Sequence, residues 1–138
     1  MTTTTSHSFQ VASVPESVSG ARHETARVLD KWDVDDEVAY TVSLIVTELV
    51  TNVARHAALL SPNAIVRLEV DDDALTVGVA DTHPFRPRAL SVAYPDGGRG
   101  LLLVRGLVEE VGGAHWVAAD DTTGGKEIVV RLPLVARY

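Results

Sequence analysis

Glu48-Leu49-Val50-Thr51-Asn52-Val53-Ala54-Arg55-His56 carries an apolar and a polar pattern, both of helical period. Val38, Val42, Ile45 or Val46, Leu49, Val53 and Ala57 recur at the spacing of one buried helix face. Glu48, Asn52 and His56 are each four residues apart, so on the same helix they form one polar stripe that drifts slowly around the axis. A carboxylate, an amide and an imidazole in a row beside a core are costly unless each finds a partner. Two readings stay open at this point. One is a solvated helix edge whose polar groups are satisfied. The other is a metal–nucleotide site: the amide oxygen of Asn52 is a hard ligand suited to Mg2+, an ion that takes few protein ligands and keeps its phosphates and waters. Glu48, one turn away, is placed to orient a water or accept a proton.

The rest of the chain narrows the choice. Its 138 residues are 46% hydrophobic, enough for one domain with its own core. It has no cysteine, which excludes disulfides and thiolate metal sites. No apolar run reaches transmembrane length and the N-terminus has no signal-like pattern, so a cytoplasmic protein without a membrane partner is expected. The net charge of -7 makes direct nucleic-acid binding unexpected but leaves ATP open, because backbone amides and a metal can hold its phosphates.

Threonine-rich residues 1–8 read as a flexible tail, with a single domain over 9–138. A short strand over Phe9 to Val14 is followed by a helix that opens at Pro15 and ends near Asp33. The second helix opens near Asp35 or Asp36 and runs to about Ala58, before a break at Ser61-Pro62-Asn63. Ile65 to Val70 and Leu75 to Ala80 read as a hairpin closed by Asp71-Asp72-Asp73. From Asp81 to Gly98 the chain holds Pro84, Pro87 and Pro95 and is long for a connector, which favours a lid over roughly Thr82 to Asp96. Gly100 to Val111 returns to helical period, and strands over Ala114 to Ala119 and Lys126 to Leu132 close the chain. Strands adjacent in sequence favour antiparallel pairing, so the expected fold is α/β, a mixed, mostly antiparallel sheet with helices on one face.

Two further places could serve a ligand. Asp81, at the end of a strand, can accept a hydrogen bond from an exocyclic amine, or can simply end the strand. Gly97-Gly98-Arg99-Gly100 leads into a helix whose first N–H groups favour phosphate; Arg99 and Arg105 could add charge-assisted contacts.

Glu48-Leu49-Val50-Thr51-Asn52 with His56-Ala57, then Asp81, then Gly98-Arg99-Gly100-Leu101-Leu102-Leu103-Val104, resembles the N box, the adenine-reading aspartate and the second glycine box of the GHKL ATPase/kinase superfamily. The order is most similar to the small anti-sigma factor serine kinases, of the RsbW and SpoIIAB type, of actinobacterial regulators. The first glycine box departs from the common Asp-x-Gly-x-Gly: here it is Asp81-Thr82-His83-Pro84-Phe85. The resemblance implies the Bergerat-type, two-layer ATP-binding sandwich and the cofactors ATP and Mg2+. It further implies a protein serine/threonine kinase that phosphorylates a STAS-type anti-sigma factor antagonist and sequesters a sigma factor, acting as a homodimer. On this reading Glu48 is the catalytic base and Asn52 holds the metal. His56, Asp81, Gly98, Arg99, Gly100, Leu101 and Arg105 line the nucleotide. Asp81→Asn is then expected to weaken adenine recognition more than folding. A regulatory binding module that responds to nucleotide without turnover is the alternative, and a dimeric interaction domain without nucleotide is a third.

Overall fold

The computed structural model describes residues 3–83 and 99–134. Along them run β1 (Thr5–Ala12), a short 3-10 turn (Pro15–Ser17), α1 (Val18–Lys31), α2 (Asp36–His56), β2 (Asn63–Val70), β3 (Ala74–Asp81), α3 (Arg99–Glu110), β4 (Ala114–Ala119) and β5 (Lys126–Pro133). The expected lid lies, from residue 84 onward, outside the described residues.

The five strands form one sheet in the order β1-β2-β3-β5-β4, and all four pairings are antiparallel. The mostly antiparallel sheet expected from strand adjacency is thus antiparallel throughout. Alternation along each strand sends Val11, Val66, Leu68, Leu75, Val77, Val79, Ile128, Val130 and Leu132 to one face, where they pack with Val42, Ile45, Val46, Leu49, Val53, Leu101, Val104 and Val108 of the helices. This is the two-layer arrangement, with the helices on one side of the sheet.

β1 begins four residues earlier than the sequence suggests. Thr5 to Ser8, read as tail because they are polar, pair with Val70 to Arg67. An antiparallel edge strand can keep one face in water, which suits these polar residues, and the half-buried His7 bonds Glu24 of α1 at 3.0 Å.

Within the 21 residues of α2 an 18-residue stretch reaches a mean hydropathy of 1.2, enough by length and composition alone for a membrane span. Here its apolar residues Val42, Ile45, Val46, Leu49, Val50 and Val53 are buried in the core. It starts at Asp35, whose carboxylate accepts from the backbone N–H of Glu37 at 3.1 Å and of Val38 at 3.4 Å. Asp33, in the turn just after α1, takes φ 56°, a left-handed conformation that aspartate tolerates better than most residues. The β2–β3 turn is tied by Asp71, whose carboxylate accepts from Asp73 N–H at 2.7 Å and Ala74 N–H at 2.9 Å. Those two backbone donors hold its carboxyl below the usual range.

Candidate functional site

The polar stripe of α2 lies at the border of its buried face. Glu48, Asn52 and His56 are all half-buried, between the core residues Leu49 and Val53 and the solvent side. The neighbouring hydroxyls are satisfied within the helix: Thr47 Oγ1 donates to Ser43 O at 2.8 Å and Thr51 Oγ1 to Thr47 O at 2.6 Å. Glu48 and Asn52 differ from them, since neither side chain makes a hydrogen bond to another described residue. Half-exposed side chains without a protein partner are left to water or to a ligand.

α2 lies against β2 and β3, and Asp81 closes β3. Asp81 is 6% exposed and stands directly opposite Lys126 in the β3–β5 ladder. The Lys126 ammonium, 2% exposed, donates to both carboxylate oxygens at 2.9 Å. The backbone N–H of His83 donates to Asp81 Oδ1 at 2.9 Å. The carboxylate expected to meet an exocyclic amine is therefore already half of a buried ion pair. Its strand phase makes this legible after the fact: Ile128, Val130 and Leu132 point to the core, so Lys126, two residues before Ile128, points the same way. An inward lysine needs an anion, and that was the missed signal.

The backbone around the pair is tightly tied. Thr82 N–H donates to Ser61 Oγ at 2.9 Å, Thr82 Oγ1 donates to Leu60 O at 2.7 Å, and Ser61 Oγ donates to Asn63 O at 2.8 Å. These bonds join the connection after α2 to the end of β3, with Ser61 wholly buried. A side-chain carbon at Gly125 would lie 2.0 Å from Asp81 O and 2.5 Å from the Thr82 Cα. Only glycine lets the β4–β5 turn come this close.

The remaining expected residues fall as follows. Gly98 lies outside the described residues. Arg99 and Gly100 form the first turn of α3, and the first N–H groups of a helix have no intrahelical acceptor and favour an anion. The Leu101 side chain is 2% exposed and belongs to the core, so only its backbone could face a phosphate. Arg105 donates to Glu109 Oε2 at 2.9 Å on its own helix, an i,i+4 pair. No cluster of three metal-ligating side chains occurs among the described residues. The donor set around Asn52, one amide oxygen with one carboxylate a turn away, fits a Mg2+ that takes most of its ligands from phosphates and water.

The same fold occurs in solved structures. A mycobacterial sensor histidine kinase, MprB, superposes with a TM-score of 0.55 at 18% identity, over 92% of this chain and 97% of its own. The histidine kinase domain of the Erythrobacter litoralis EL346 blue-light activated histidine kinase gives a TM-score of 0.54 at 20% identity, over 85% of this chain and 61% of its own. A chain of the SiaB-SiaC complex from Pseudomonas aeruginosa gives 0.53 at 16% identity, over 93% of this chain and 89% of its own. No curated protein sequence matches at a significant level. The architecture is therefore the GHKL sandwich that the motif order implies. The histidine kinase-like ATPase domain family matches residues 11–132, a span from within β1 to within β5, and the chain belongs to that family.

Proposed function

We propose that this protein is an ATP-dependent protein serine kinase that phosphorylates an anti-sigma factor antagonist and sequesters a sigma factor. The observation that supports it best is the pair Glu48 and Asn52, half-buried one turn apart on α2 and without a partner among the described residues. Membership of an ATPase domain family supplies the ligand class. Bound Mg-ATP would bring the phosphoryl group and the charge neutralisation that its transfer requires. Asn52 would offer its amide oxygen to the metal, the first turn of α3 would hold phosphate, and Asp81 would meet the base. Glu48 would orient the serine hydroxyl of the substrate protein and take its proton. A second reading, a nucleotide-responsive binding module without turnover, draws on Asp81-Thr82-His83-Pro84-Phe85, which lacks both glycines of the common first box.

Transfer of label from γ-labelled ATP to a serine of the cognate STAS-type antagonist tests the proposal. The wild type should label it in a Mg2+-dependent way. Tight nucleotide binding with no label on any antagonist would replace the kinase by the binding module.

A further inference from the structure

A lysine that is 2% exposed on a core-facing strand position is unusual, and its hydrogen-bond capacity can be counted. An ammonium has three N–H donors. Two of them go to Asp81 Oδ1 and Oδ2. The third has no acceptor among the described residues. An ionised carboxylate has about four lone-pair sites. Lys126 occupies one on each oxygen of Asp81, and the N–H of His83 occupies a second on Oδ1. One site on Oδ2 is left. The pair thus ends with one donor and one acceptor on atoms 2.9 Å apart. A carboxylate alone would offer acceptors only.

The six-membered ring of adenine presents the complementary edge: an exocyclic amine that donates, next to a ring nitrogen, N1, that accepts. We propose that Lys126 is a base-reading residue, and that the Asp81–Lys126 pair meets the base as a unit. Asp81 Oδ2 accepts from the amine and Lys126 Nζ donates to N1. The proposal rests on the nucleotide-binding reading above and deepens it. The surrounding structure fixes the unit in place: Lys126 and Asp81 face each other across a strand pairing, Gly125 brings the turn backbone against Asp81 and Thr82, and Ser61 clamps Thr82 from the other side.

The test compares Mg-ATP with Mg-1-deaza-ATP, in which a C–H replaces N1 and the amine is kept. The full chain is labelled with 15N-lysine. Lys31 and Lys126 are its only lysines, and the exposed Lys31 on α1 serves as an internal reference. ATP should move the Lys126 ammonium resonance and leave that of Lys31, and 1-deaza-ATP should move Lys126 far less. By calorimetry the wild type should bind 1-deaza-ATP about tenfold more weakly or worse, the scale of a lost charge-assisted hydrogen bond. In Lys126→Met, which has no donor to offer N1, the difference between the two nucleotides should disappear. Equal affinities in the wild type, or a difference that survives in Lys126→Met, overturns the proposal and leaves the pair a structural staple. If Lys126→Met does not fold, the wild-type affinities and resonances still decide. Binding of neither nucleotide overturns the proposal together with the nucleotide reading, whereas binding of both without discrimination overturns the proposal alone.

Discussion

Replacing Asp81 by asparagine removes an acceptor from the proposed base site and also strips Lys126 of its counter-ion. An ammonium that is 2% exposed and unpaired costs about 3–5 kcal/mol. Asp81→Asn is therefore expected to destabilise the fold as well as base recognition, a cost to folding that the ion pair with Lys126 adds to the expectation from sequence. Removing both charges is milder: Asp81→Asn with Lys126→Met should be more stable in urea than either single variant, since no charge is then left buried and unpaired. Additive losses would show that the pair is not coupled. Glu48 and Asn52 make the opposite prediction, because no described residue depends on them. Both Glu48→Gln and Asn52→Ala should fold normally. Glu48→Gln should keep Mg-ATP binding and lose phosphoryl transfer by roughly a hundredfold, the usual scale for a general base. Asn52→Ala should lose the Mg2+ dependence of nucleotide binding in calorimetry. Wild-type transfer in the first variant, or unchanged affinity in the second, removes that residue from the site. The spacing of Glu48 and Asn52 was readable because a helix converts it directly into a shared face. Lys126 was not, because its partner is 45 residues away.

Two glycines, Gly125 in the β4–β5 turn and Gly78 on β3, separate what an element needs from what it tolerates. At Gly125 an added carbon meets backbone, 2.0 Å from Asp81 O. Gly125→Ala should destabilise by about 1–3 kcal/mol, as overpacking does, and weaken nucleotide binding by displacing Asp81. At Gly78 the added carbon meets the end of the Glu127 side chain, 2.1 Å from Oε2. That carboxylate reaches across β3 to Arg67, at 3.0 Å and 3.2 Å. It can swing away at the cost of a partly exposed ion pair, worth about 0–1 kcal/mol. Gly78→Ala should therefore melt within about 1 kcal/mol of the wild type, helped by the better strand propensity of alanine over glycine. Urea unfolding of the two variants side by side checks the ordering, and a costlier Gly78→Ala would refute it.

For the whole molecule, acid and ligand are the informative variables. At the junction of β1 and α1, Glu24 accepts from Arg27 at 2.9 Å and 2.8 Å and is bonded by His7 at 3.0 Å. The Arg27 guanidinium, with help from His7, holds its carboxyl down at about 2, against 4.5 for the free group. A depressed acid contributes stability that is fully present above the unfolded value and is lost as pH falls through the folded one. Between pH 4.5 and 2 the wild type should lose melting temperature that Glu24→Gln does not lose. The difference should shrink in high salt, since these groups are partly exposed. Identical acid profiles would show that the cluster adds nothing to folding. Mg-ATP at a hundredfold excess over its Kd should stabilise the protein by about 2.7 kcal/mol, a rise on the order of 5–10 °C for a domain of this size. An unchanged melt points to the interaction domain without nucleotide.

The sequence by itself determined the elements and their order, the helical stripe of Glu48 and Asn52, and the position of Asp81 at a strand end. Each follows from the backbone period, 3.6 residues in a helix and 2 in a strand, and so from neighbours in the chain. It misplaced the start of β1, because Thr5 to Ser8 are held by pairing with β2, some sixty residues on, and by His7 on Glu24. Only the tertiary structure decided that Asp81 faces Lys126, that Ser61 clamps Thr82 and that Gly125 abuts both Asp81 and Thr82. Those contacts join β2, β3 and β5, whose mutual placement is set by sheet order and core packing. Which polar groups meet across a sheet depends on register, and register is fixed only when the hydrophobic faces of all the strands close on one core.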